Sequence, residues 1–346
     1  MAIVICDLET TLINELKCIL NSSSNDCRTL LRQFLNAKKK SISTDKREVF
    51  ISNELHEHNL FKYEKRDVIQ NIIYRIARGQ DVNIYLSNRQ GELNHTDLTL
   101  TVFGLHHLHL GDKVENKGKR KGLIKGTKSI LFAKFDKDRA YLVDILSHDI
   151  ETGFLNRKLL NIIHKNWPHL LEPYRIKRMG VSCRDITDTE FTKMIKHGIN
   201  IPFSPEDGVV FFLPGSLTMA NTDADNEMVI IGAMKDIERA ERRIKDILHH
   251  LSAYIKKTTG IEYNVLRFSV VLTNDGLAIE NKNSGIFLLF AMEIYTLQIL
   301  QQRQSNILKL YDFSAFLFIY FNLIREHFRL ASIDWCEFNN HNNSQV

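Results

Sequence analysis

Proline is scarce and unevenly placed. The 346 residues hold five, all after residue 167, at Pro168, Pro173, Pro202, Pro205 and Pro214. With so little proline and 16 glycines, the chain is neither collagen-like nor a low-complexity linker. Cysteine is sparse too: Cys6, Cys18, Cys27, Cys183 and Cys336 form an odd set with no C-x-x-C pair. Their spacing suits neither a zinc ribbon nor a disulfide framework, which points to a reducing compartment. The opening MAIVICDLETT lacks the basic n-region and small-residue cleavage site of a secretory signal. The most apolar run, Phe313 to Ile324, is too short to cross a bilayer and reads as a buried helix. A cytoplasmic chain off the membrane is expected. Nor is there a large excess of one charge. Forty-six Lys and Arg against 41 Asp and Glu leave +5, which permits a nucleic-acid partner without requiring one.

What remains is ordinary globular material, 44% hydrophobic and 25% charged, long enough for two domains with real cores. The expected class is α+β. Apolar periodicity in LINELKCIL, TLLRQFL and VIQNIIYRIA predicts a helical N-terminal region over residues 1–80. Residues 81–170 read as a central antiparallel sheet module. Its elements are LTLTVFGLHHLHL as one strand, a hairpin of SILFAKF and RAYLVDILSH, and a helix through FLNRKLLNIIHKNW. WPHLLEP marks its end. Residues 171–346 read as an α+β region. Thr187 and Glu190 form a capping box, with the helix ending at Gly198. A strand-like VVFFL follows, then one long amphipathic helix from Asn226 to Lys257 with Ile231, Met234, Ile237, Ile244, Leu248 and Leu251 in its stripe. A hairpin FSVVL-TNDG-LAIE and helices over Ile286–Gln302 and Ile307–Ser332 complete the chain.

The densest chemistry is FGLHHLHLG, residues 103–111. On a strand, His107 and His109 share a face about 7 Å apart, while His106 points the other way with Leu108 and Leu110. Two imidazoles on one face can act as base and acid, or as two metal ligands, or stand as polar surface without a role. Asp144 and His148 share a predicted face with Leu142 and Leu146 and join the histidines if the two faces meet. Directly after the histidines runs GDKVENKGKRKGLIKGTK. Lys113, Lys117, Lys119, Arg120, Lys121, Lys125 and Lys128 there face only Asp112 and Glu115. A loop of this kind either grips phosphates or is simply solvated. Asp7 and Glu9 in AIVICDLETT resemble the first motif of DEDD exonucleases and the opening of haloacid-dehalogenase-like phosphatases. No later carboxylate motif follows, and the segment reads as a helix start.

The segments GQDVNIYLSN, GLHHLHLG, SILFAKF, AYLVDILSH and LLNIIHKNWP together resemble a group of uncharacterised bacterial proteins marked by a GIHHLHL-type segment. The resemblance covers about Gly79 to Pro168 and extends weakly through DITDTEFTKMIKHGIN. Val102-Phe103 stands where that group carries an acidic residue and Trp. The order of helices, polar strand, basic loop and hairpin is also similar in layout to barnase/RelE-type ribonucleases. That likeness implies metal-independent RNA cleavage without a cofactor, by a toxin or antiphage effector, with His107, His109, His148 and Asp144 catalytic. Lys117, Lys119, Arg120, Lys121, Lys125 and Lys128 would hold nucleic acid, RNA ahead of DNA. A non-enzymatic module binding nucleic acid or protein, a homo-oligomer, and a hydrolase with metal on His107, His109, Asp144 and His148 stay open.

Overall fold

Among the described residues, each of two four-stranded sheets takes an edge strand from the N-terminal part of the chain. A computed structural model describes residues 3–118, 121–147, 155–176, 186–205, 207–273, 276–284 and 286–288. The expected helix over 307–332 and most of that over 286–302 lie outside the described residues, and Ile286–Leu288 is strand where helix was expected.

Strand β1 (Ile3–Cys6) leads into α1 (Leu8–Leu20) and α2 (Cys27–Lys40). Asp7 caps α1, its carboxylate accepting the Thr10 N–H at 3.0 Å. Asp7 to Thr11 is thus a helix start, as expected, while the strand before it departs from the all-helical reading of residues 1–80. Next come β2 (Glu48–Ile51), the short α3 (Asn53–Glu57), a turn of π-helix and α4 (Arg66–Arg78). The middle of the chain supplies α5 (Leu98–Phe103), β3 (His106–His109), β4 (Ser129–Phe135), β5 (Arg139–Ser147) and α6 (Lys158–Asn166). Then follow α7 (Asp188–Lys196), α8 (Ala224–Asp246), α9 (Leu248–Thr259), β6 (Val265–Thr273), β7 (Gly276–Asn281) and β8 (Ile286–Leu288). The class is α+β, and both predicted hairpins are present as β4–β5 and β6–β7. The capping box at Thr187 and Glu190 starts α7 as expected.

The sheets draw strands across the expected segment boundaries at 80 and 170. β1 pairs in parallel with β6, and β2 pairs in parallel with β5, so the central sheet, ordered β2-β5-β4-β3, is mixed. All described residues fall in one compact unit, Met1–Thr296. Among them, no helix is long and apolar enough to cross a membrane.

The central sheet is covered on both faces. Ile130, Phe132, Tyr141 and Val143 pack with Leu159, Leu160 and Ile163 of α6 and with Phe191 and Ile195 of α7. Leu108, Leu131, Ala133 and Leu142 pack on the other face with Ile69, Ile72 and Ile76 of α4. A strand buried on both sides loses the two-residue alternation that assigns faces from sequence. The β4–β5 register also shifts between Phe132 and Ala133, so Ala133 faces Leu142 while Phe132 faces Asp144. That bulge corrects the expected face: Leu142 lies toward α4, and Asp144 lies with Leu146 toward α6.

Three further expectations change. LTLTVFGLHHLHL is a helix and a strand, because Asp97 caps α5 and Gly104 ends it at φ 69°. VVFFL forms only isolated bridges from Phe211 to Phe203 and Arg175, with Pro205 and Pro214 flanking it and withholding donors. The long helix breaks at Ile247 (φ −97°, ψ 9°). Its buried stripe runs Asn226, Ile230, Ala233, Ile237, Ala240 and Ile244, leaving Ile231 exposed.

The basic segment after β3 is a folded excursion. Val114 bridges Ile124, Ile124 is buried, and its N–H donates to the Ile84 carbonyl at 2.7 Å. Gly111 sits at its base, where a Cβ would meet the Lys125 carbonyl oxygen at 2.4 Å. Gly111→Ala is therefore expected to destabilise the protein by about 1–3 kcal/mol, the usual range for overpacking against backbone. Thermal unfolding checks this; a variant as stable as wild type would mean that the two strands of the excursion are free to part.

Candidate functional site

Asp97 joins helix to histidine. One oxygen accepts the Leu100 N–H at 3.0 Å and starts α5, while the other lies 3.3 Å from Nδ1 of His107. Helix α5 is six residues long and its Gly104 cap turns the chain straight into β3, so the carboxylate and the strand cannot drift apart. Both side chains are mostly buried, at 14% and 19% exposure, which strengthens their attraction. The carboxylate favours the ring proton on Nδ1 and makes Nε2 the basic nitrogen of His107.

His109 is set the opposite way. It is buried, and its Nδ1 accepts the Thr127 N–H at 3.1 Å. Thr127 is itself fixed: its hydroxyl accepts the Leu110 N–H at 2.9 Å and donates to the Ser129 carbonyl at 2.6 Å. An amide donor at Nδ1 favours the neutral ring, with its proton on Nε2. With Nδ1 accepting, Nε2 is the donor nitrogen of the neutral His109 ring.

Both histidines line a cavity of about 340 Å³ at the edge strand, together with His106, His95, Asp97, Lys40 and Arg89. Burial lowers the His106 pKa to about 4, with the charges of His107 and Lys134 adding to it against Asp97. Burial, then Lys40 and Arg89, also lowers that of His95. Burial pushes Lys40 down too, opposed by Asp97 and Glu92. The Lys40 ammonium donates to the carbonyls of Glu92 at 2.7 Å and Arg89 at 3.5 Å, two of its three protons. The cavity thus holds one carboxylate, cationic groups and four imidazoles, of which His95 and His106 are shifted toward the neutral form.

The expected face is present: His107 and His109 stand opposite Phe132 and Ile130, and Leu108 and Leu110 are fully buried. Asp144 is not brought to them. It is 1% exposed, bound by Lys158 at 2.7 Å and by the Ile145 N–H at 2.8 Å, with Phe132 between it and His107 along the ladder. Lys117, Lys121, Lys125 and Lys128 are exposed on the excursion. His148, Lys119 and Arg120 lie outside the described residues. Among the described residues no group of three or more His, Cys, Asp or Glu is placed to hold a metal ion.

Asp97, His95, Lys40 and Arg89 escape the sequence reading. Asp97 had a signal: an Asp three residues before Leu100 and seven before Gly104 is a helix start and stop. Reading Leu98 onward as strand hid it. Lys40 and Arg89 carry no local signal, since tertiary folding alone brings them to the cavity that His107 lines. Comparison with known proteins finds no match to a family model, a curated protein or a solved structure.

Proposed function

We propose that this chain is a metal-independent endoribonuclease in which His107 is the general base. The observation that supports it is the opposite setting of two imidazoles on one strand face, Asp97 at Nδ1 of His107 and an amide N–H at Nδ1 of His109. In this reading Nε2 of His107 takes the proton from a ribose 2′-hydroxyl. The 2′-oxygen then attacks the adjacent phosphorus, and the bond from phosphorus to the 5′-oxygen breaks. Asp97 stabilises the imidazolium that forms, and the Nε2–H of His109 stabilises charge on the phosphoryl oxygens. Lys40, whose acidity is raised by burial, supplies the proton to the departing 5′-oxygen. The products are a 2′,3′-cyclic phosphate and a 5′-hydroxyl. The layout likeness supports a cytoplasmic toxin or antiphage effector as the setting. The test is incubation of the purified chain with labelled single-stranded RNA in the presence of a chelator: fragments are expected, and intact RNA at all protein concentrations would refute the reading.

The exposed lysines favour a second reading, a module that binds nucleic acid without cutting it. Both readings expect Lys117, Lys121 and Lys125, changed together to Ala, to weaken single-stranded RNA binding. The slope of log Kd against log salt should fall by about 2, at roughly 0.7 per phosphate contact. The thermal midpoint should stay put, as exposed substitutions usually change little. Unchanged affinity and slope would leave the excursion a solvated surface.

A further inference from the structure

We propose that His106, with Asn88 and Gln90, reads the edge of a nucleobase, so that the cavity selects RNA by the identity of one base beside the cleaved phosphate. The inference rests on the ribonuclease reading for its substrate class. His106 carries it. Both of its ring nitrogens are buried without a hydrogen-bond partner of good geometry, the Lys39 backbone acting on the ring only weakly. The ring is wedged edge-on against Phe135, with centroids 5.4 Å apart, and it lines the cavity. A buried imidazole with no partner is costly, and native proteins rarely keep one without a use.

The missing partner has a definable chemistry. Burial keeps the ring neutral, so it offers one donor and one acceptor. A phosphate supplies acceptors only and leaves the ring's acceptor nitrogen unmet. A base edge carries N–H groups as well as acceptors and can donate to that nitrogen. The rest of the lining agrees. Asn88 and Gln90 add half-buried amides, whose internal contacts are long, 3.4 Å to Ser87 and 3.4 Å to Asn83. Leu86, Leu98 and Leu100 add apolar surface for the faces of an aromatic ring. Lys40 and Arg89 supply the charge a phosphate needs, so the two halves of a nucleotide meet different walls. A cavity of about 340 Å³ lies near the lower end of the roughly 300–1,000 Å³ range of small-ligand sites and suits a single nucleotide.

The test is equilibrium binding of the four nucleoside monophosphates and of ribose 5-phosphate to the full chain. At least one nucleotide is expected to bind about tenfold or more tightly than ribose 5-phosphate, the factor a single good hydrogen-bonded edge provides. His106→Phe keeps an aromatic ring and removes only the poorly partnered nitrogens. It should bring all five ligands within about twofold of one another and leave ribose 5-phosphate unaffected. Asn88→Ala with Gln90→Ala, at half-buried positions, should act in the same direction and provides the test if the first variant does not fold. Four nucleotides bound no better than ribose 5-phosphate, or a base preference that survives these variants, would overturn the proposal. Base-selective binding by a protein that cuts no RNA would refute the nuclease and leave the base pocket. Cleavage indifferent to base and to His106→Phe would do the reverse.

Discussion

His107→Ala is expected to lower the rate of RNA cleavage by about 10²–10⁴-fold, the usual worth of a positioned general base, with little change in RNA affinity. The effect is large because no other cavity imidazole can take over. Burial makes His106 and His95 weaker bases, and Nδ1 of His109 already accepts the Thr127 N–H. Asp97→Asn is expected to cost nearly as much, since an amide can hold the ring in place without stabilising the imidazolium. It also keeps an oxygen to cap α5, so stability should fall by less than for Asp97→Ala, where the lost cap costs about 0.5–2 kcal/mol. His109→Ala should lose about 10²–10³-fold, as for a removed oxyanion donor. Single-turnover cleavage of one labelled RNA by the four variants decides it. A fully active His107→Ala protein would remove the base from the scheme.

The second large effect is on acid stability. The unfolded His106 titrates at its ordinary 6.5, whereas the buried ring in the folded protein titrates at about 4. Between those values the unfolded chain binds more protons, so stability is complete above pH 6.5 and declines as the pH falls through the window toward 4. The depression is worth about 3 kcal/mol. His106→Phe has no such group. Moving from pH 7 to pH 4 should therefore shift its stability relative to wild type by most of that amount in the variant's favour. Other titrating groups, His95 included, are common to both proteins and cancel in the difference. Urea unfolding of the pair at the two pH values is the measurement. A difference independent of pH would mean that His106 is solvated or hydrogen-bonded, and would also remove the ground for base recognition.

Local signals in the sequence reach as far as local chemistry extends. The caps at Asp7 and Thr187, the turn between Phe135 and Arg139, and the His107/His109 face are all read correctly, because each depends on a few neighbouring residues. The parallel pairings of β1 with β6 and β2 with β5 join residues far apart in the chain, and no spacing rule reports them. The same limit applies within the site. His107 is visible as a member of a histidine cluster, but its partner Asp97 lies across a helix that reads as strand when every residue from Thr99 to Phe103 is buried. Asp144 shares the sheet face of His107 but stands one strand further in, beyond Phe132, where Lys158 of α6 binds it; no local spacing reports either fact.

Cleavage by a metal-free histidine base leaves a chemical signature that neither a metal-activated water nor a binding module can produce. The decisive measurement is the identity of the RNA ends made in the presence of chelator, together with a substrate carrying 2′-deoxyribose at the cleaved nucleotide. The expected result is a 2′,3′-cyclic phosphate facing a 5′-hydroxyl, undiminished by chelator and abolished by the single deoxy substitution. Ends bearing a 3′-hydroxyl and a 5′-phosphate, or activity that disappears with the chelator, would contradict it.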